Sequence, residues 1–379
     1  MERLQGLSGF NINDVADSVG SDPDVLRLEN LDTDLRPPQS AIDATLAAVV
    51  QDDANSYLPF TGSLALRVAI GHRLSAQTGQ ACSPDQVVVT CGGTEGMLDV
   101  LLAIIDPGDE VIVTDPTYAG MINRVRLAGG TPRFVPFVRD GGTWRLGVDA
   151  LRLAIGHRTR AIFLMNPSMP SGAWLDRTEW ETVETLCDRH HLWLIYNAAM
   201  ERILFQGRSY FHPGSLPGLA ARTISVGSVS KEYRMIGWRV GWVAGPAEVM
   251  SDIGRVHIYN AVTPGGIGQA GALAALTCAD DGLAECVREW EKRHDFMVES
   301  LRGLPLIPAA GGWSLLLDCA AMGHDCMTAS KLLLARGKIA ATPMRGWGAQ
   351  VADNMVRFVF SNEPLSRLIG IRDRVLAAL

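Results

Sequence analysis

The chain has 379 residues, 47% of them hydrophobic and 20% charged, enough to bury a large core and to divide into two domains. Its 34 Lys and Arg against 41 Asp and Glu give a net charge of −7, which argues against a nucleic acid or an anionic membrane as partner. No basic segment followed by an apolar core opens the sequence, no apolar run approaches the ~20 residues that span a bilayer, and seven scattered cysteines lack paired metal-type spacing; a reduced, cytoplasmic protein is expected.

In chain order, LENLDTD at 28–34 offers Glu29, Asp32 and Asp34, suited either to a cationic or polar ligand or to capping a loop. YLPFTGSLALR follows at 57–67. Short β-branched runs then alternate with amphipathic stretches, the pattern of a parallel sheet wrapped in helices. Strands are expected at 86–90, 110–114, 161–165, 192–196, 223–226 and 240–244, and helices at 95–105, 118–128 and 178–189. CGGTEG at 91–96 leads from the first strand straight into a helix, whose free N–H groups suit an anion, so Gly93 and Thr94 are candidate phosphate ligands. His190 and His191 are adjacent, point to different faces and match no metal spacing.

SVSKEYRMIGWRVGW at 228–242 is the most telling segment. Lys231 sits in a Ser- and Gly-rich turn, with Arg239 eight residues on. A lysine amine attacks carbonyls when a partly apolar, cationic setting lowers its pKa, giving a Schiff base, and Ser228 and Arg239 are placed to hold a phosphate beside it. After 280 the β pattern weakens, a long helix is expected at 283–304, and NMVRFVFS at 354–361 alternates like a half-exposed strand carrying Arg357.

The segment around Lys231 fills every fixed position of S-x-S-K-x-x-x-x-x-G-x-R-x-G and so resembles the lysine motif of fold type I pyridoxal-phosphate enzymes, specifically the class I/II aminotransferases. The resemblance runs from about residue 28 to the end. It implies a three-layer α/β fold with a mainly parallel sheet in a large domain, 46–280, and a smaller α+β domain built from 1–45 and 281–379. It also implies pyridoxal 5'-phosphate as cofactor and a reaction between an L-amino acid and a 2-oxo acid. By the same resemblance Lys231 forms the Schiff base and carries the α-proton, while Gly93, Thr94, Ser228 and Arg239 hold the phosphate. Tyr118 of DPTYAGM stacks on the ring, Arg357 grips the substrate carboxylate, and Tyr57 reaches the neighbouring subunit's phosphate in a homodimer with shared sites.

Three positions depart from the family pattern. NPSMPSG at 166–172 puts Met169 where an asparagine donates to the cofactor's phenolate oxygen. Asn197 stands where an aspartate pairs with the ring nitrogen, and Met200 replaces a tyrosine. Besides a retuned transaminase, these changes leave open elimination, cyclisation, decarboxylation or oxidation on the same cofactor, or a module that binds it without catalysis.

Overall fold

The computed structural model describes Leu4, Leu7 and residues 11–379. Its eight-stranded central sheet runs in the order Val87–Thr90, Gly241–Ala244, Thr223–Ser228, Trp193–Asn197, Thr159–Met165, Glu110–Asp115, Thr131–Asp140, Thr143–Leu146. Gly241–Ala244 and Thr143–Leu146 lie antiparallel to their neighbours and the other pairings are parallel. Helices such as Gly93–Ile104, Ala119–Leu127 and Arg177–His190 connect the strands, as the alternation in the sequence implies. These elements bury apolar side chains on both faces of the sheet, which is why its inner strands read as continuous apolar runs.

Two strands of the central sheet, Thr131–Asp140 and Thr143–Leu146, were hidden in the sequence. Thr131–Asp140 contains Pro132 and Pro136 beside Arg133 and Arg139, a composition that disguises a strand. It tolerates proline because residues 131–136 pair on one side only, with Glu110–Asp115. Gly147 N–H donates to the Pro136 carbonyl on the other side, so the missing N–H of Pro136 faces that unpaired edge.

A second, four-stranded antiparallel sheet is ordered Leu306–Ile307, Ser314–Asp318, Met355–Val359, Thr342–Pro343. Met355–Val359 is buried at every position rather than half-exposed, because it is paired on both edges and covered on both faces. The preceding helix, Leu283–Ser300, stops short of 304: Gly303 adopts a left-handed φ of 87° and Pro305 cannot continue a helix. Near the N-terminus Leu26–Arg27 pairs in parallel with Ile339–Ala340, stitching the first residues to the C-terminal third.

Asp115, Met165, Asn197 and Ser228 are the last residues of four adjacent parallel strands. Their shared end of the sheet is where open α/β folds form binding crevices.

Candidate active site

A cavity of about 260 Å3 opens there. Gly93, Thr94, Tyr118, Met169, Asn197, Ser228, Lys231, Arg239 and Arg357 all line it. Tyr57 does not; it is 85% exposed and lies outside the cavity of its own chain.

One end is built for an anion. Helix Gly93–Ile104 begins after Gly92, whose φ of 79° turns the chain sharply, and no side chain caps its first N–H groups. Arg239 reaches across to donate to Thr94 Oγ1 at 3.2 Å and to the Ile236 carbonyl at 2.9 Å. Ser228 Oγ donates to Ser230 Oγ at 2.8 Å and accepts from the Ser230 N–H at 2.9 Å. A Cβ at Gly241 would come within 2.4 Å of the Gly93 nitrogen, so glycine there lets the helix start approach the strand.

Lys231 lies partly buried in the same cavity, its Nζ donating to the Leu31 carbonyl at 2.7 Å and sitting 4.9 Å from the Trp313 ring centre. Burial, reinforced by Arg357 and Arg239 and opposed by Asp32, pulls its pKa down to about 7. The amine is therefore substantially neutral and nucleophilic near pH 7.

Arg357 is fully buried, stacks 4.8 Å over the Trp347 ring, and donates to the Glu29 carbonyl at 2.5 Å and to Thr342 Oγ1 at 3.2 Å. Its Nε has no partner, and its Nη1 meets only the Met169 sulfur, 3.9 Å away. Burial lowers its pKa to about 9, with the Glu29 carboxylate opposing. A buried guanidinium bonded to carbonyl, hydroxyl and thioether but to no carboxylate of the described residues has the donor chemistry to receive a carboxylate.

Asn197 spends its amide oxygen on the Ala199 N–H at 3.1 Å and points its nitrogen toward Met97 Sδ at 3.7 Å. With Met97, Met165, Met169 and Met200 around it, this part of the wall is soft, weakly accepting and uncharged.

The acids of residues 28–34 are engaged elsewhere. Glu29 is bound by Arg27 at 2.6 Å, Asp34 is gripped by both terminal nitrogens of Arg293 at 2.8 and 3.1 Å, and Asp32 accepts from the Thr33 N–H. None of the three lines the cavity. The sequence also left out Ser230, Leu31, Ile12, Met97, Ile236 and Trp347, which do. Ser230, the second serine of the lysine motif, and Ile236, inside the same segment, could have been found there; the others come from segments with no spacing relation to it.

The uncapped helix start, the hydroxyls and Arg239 fit a phosphate, and the neutral lysine fits an aldehyde, so pyridoxal phosphate suits the residues present. The family model for "Aminotransferase class I and II" matches residues 24–370. The arginine–pyruvate transaminase of Pseudomonas aeruginosa is 33% identical over 352 residues, 92% of this chain and 86% of that protein. The aspartate/prephenate aminotransferase of Thermus thermophilus is 30% identical over 84% of this chain and 83% of its own. The structure of N-succinyldiaminopimelate aminotransferase from Mycobacterium tuberculosis superposes with a TM-score of 0.91 at 28% identity, covering 100% of both chains. The chain belongs to the class I and II aminotransferases and is a pyridoxal-phosphate-dependent enzyme of that family.

Proposed function

We propose that this cavity moves an amino group between an L-amino acid and a 2-oxo acid, with Lys231 as the residue that bonds covalently to the cofactor. One observation carries the assignment: a single cavity holds a half-neutral lysine, an uncapped helix start with Arg239, and a buried guanidinium that lacks a carboxylate.

Pyridoxal phosphate, when bound, supplies an electron sink for negative charge at the substrate's α-carbon. Gly93 and Thr94 N–H groups, Ser228, Ser230 and Arg239 hold its phosphate, and Tyr118 flanks its ring. Asn197 brings no charge to the ring nitrogen, and Met169 and Met200 bring no strong donors, so the ring's electronics are set more softly than by an aspartate and a tyrosine. Arg357 fixes the substrate by its α-carboxylate, and that anchor decides which bond at the α-carbon faces Lys231. Lys231, neutral near pH 7, would take the α-proton on Nζ and hold it there for redelivery on the far side of the amino nitrogen.

The reading includes a homodimer in which the partner's Tyr57 completes the phosphate site; the exposure of Tyr57 outside its own cavity supports this. It places the enzyme in the cytoplasm, supported by seven free cysteines, with Cys187, Cys319 and Cys326 buried. It divides the chain into a cofactor domain, 46–280, and a small domain of 1–45 with 281–379, supported by the pairing of Leu26–Arg27 with Ile339–Ala340.

The test is the purified enzyme's visible spectrum. Wild type shows the absorbance of lysine-bound cofactor and loses it when an amino acid is added, with a 2-oxo acid appearing by mass spectrometry. Lys231→Ala lacks that band; its persistence without added amine refutes the assignment of Lys231.

A further inference from the structure

We propose that the amino acid taken at this site carries an uncharged side chain, apolar or aromatic, and that both cationic and dicarboxylic amino acids are excluded. The proposal rests on the cavity being the amino-acid site argued above.

The cavity's charges are all positive and all have work. Among the described residues, Lys231, Arg239 and Arg357 are its only ionisable cations and no carboxylate lines it. Arg239 is tied to Thr94 and Ile236 at the helix start. Lys231 is the nucleophile, and Arg357, enclosed by Trp347, Glu29 and Thr342, has an unbonded Nε and an Nη1 that meets only the Met169 sulfur, which we assign to the α-carboxylate. A second carboxylate on the substrate would find no free cation among the described residues that line the cavity.

A cationic side chain fares no better. Glu29, Asp32 and Asp34 are the nearest acids in sequence to the cavity-lining Leu31, and they are bound to Arg27, the Thr33 N–H and Arg293. Drawing Glu29 or Asp34 to a substrate guanidinium would orphan Arg27 or Arg293 instead, and an unpaired charge in a buried site is strongly disfavoured; Asp32, held by the Thr33 N–H, already acts on the charge of Lys231.

What remains for a side chain is apolar. Ile12, Leu31, Ile236 and Trp347 line the cavity, with Trp347 edge-on to Tyr118 at 6.5 Å between ring centres. An alkyl or aryl side chain buries against these surfaces without a polar partner.

Binding of carboxylates that lack the α-amino group tests this on the holoenzyme without catalysis. Hydrocinnamate, isocaproate, succinate and δ-guanidinovalerate are titrated by calorimetry, and the cofactor absorbance is followed in parallel. Hydrocinnamate and isocaproate should bind about 100-fold more tightly than the two charged analogues, the penalty expected for an unpaired charge only partly relieved by solvent. Equal or tighter binding of succinate or δ-guanidinovalerate overturns the proposal while leaving the aminotransferase site in place.

Two variants separate the claims. Arg357→Lys keeps the cation but loses the planar fork, and should weaken all four analogues alike. If no analogue binds wild type, or Arg357→Lys changes none of them, the amino-acid site lies elsewhere and both readings fall. Ile12→Glu supplies the missing carboxylate and should raise the affinity of δ-guanidinovalerate relative to hydrocinnamate about tenfold. An unchanged ratio overturns the assignment of the side-chain wall.

Discussion

Lys231 shows how much one residue's setting decides. Its motif was plain in the sequence because the residues that define it lie within fifteen positions, but its reactivity depends on burial and on Arg357, which is 126 positions away (357 − 231). In the cofactor-free chain the amine is held near pH 7, against 10.5 for an ordinary lysine. Capture of added pyridoxal phosphate, followed by stopped-flow absorbance, should rise with pH and level off above about 7; an inflection nearer 10.5 would show an ordinary amine. The linkage runs the same way. Between about 7 and 10.5 the unfolded chain binds a proton that the folded chain does not, so the cofactor-free fold gains stability as pH rises through that window. Arg357 was legible only as a candidate, since its strand reads as half-exposed; its burial comes from pairing on both edges. Glu29 and Asp34 read as possible ligands because sequence spacing cannot show Arg27 and Arg293 closing on them.

At the scale of elements, the alternation of strands and helices was legible because each inner strand is buried on both faces and each helix amphipathic. The parts that failed depend on contacts distant in sequence. Trp347 is one of these: it sits in a turn with no periodicity, and Asp115, at the end of its strand, holds that turn in place. The Asp115 carboxylate accepts from the backbone N–H groups of Gln350, Val351 and Ala352 at 2.7, 2.9 and 3.0 Å, and the Thr117 N–H donates to the Trp347 carbonyl at 2.8 Å. Asp115→Ala leaves three donors without their acceptor and should cost about 3 kcal/mol in denaturant unfolding. Hydrogen exchange across 347–352 should accelerate with it. Unchanged exchange there, with stability lost elsewhere, would show that Asp115 does not position the Trp347 turn.

At the scale of the molecule, the described chain leaves several large apolar side chains exposed. Val50, Tyr57 and Tyr259 are 85%, 85% and 92% exposed, with Leu46, Phe60, Leu64, Leu102 and Val262 also exposed. The loop carrying Tyr57 is fixed beside the phosphate end, since His257 contacts Glu95 on the Gly93–Ile104 helix at 2.7 Å and the Phe60 carbonyl at 2.9 Å. Burial alone would lower the His257 pKa, yet hydrogen bonds to Asp99 and Glu95 raise it to about 9, so at neutral pH the imidazole is charged and donates to both sides. An exposed Tyr57 on a fixed loop, near its own helix start yet outside its own cavity, suits a two-fold dimer in which each copy completes the other's site. Mixing Lys231→Ala with Tyr57→Ala, each inactive alone, then tests the arrangement. Random reassortment makes half the dimers hybrid, each with one site wild type at both positions, so the mixture should recover about a quarter of wild-type activity. Light scattering that shows hybrid-competent dimers with no recovered activity, or a fully active monomer, would mean that Tyr57 serves no neighbouring site.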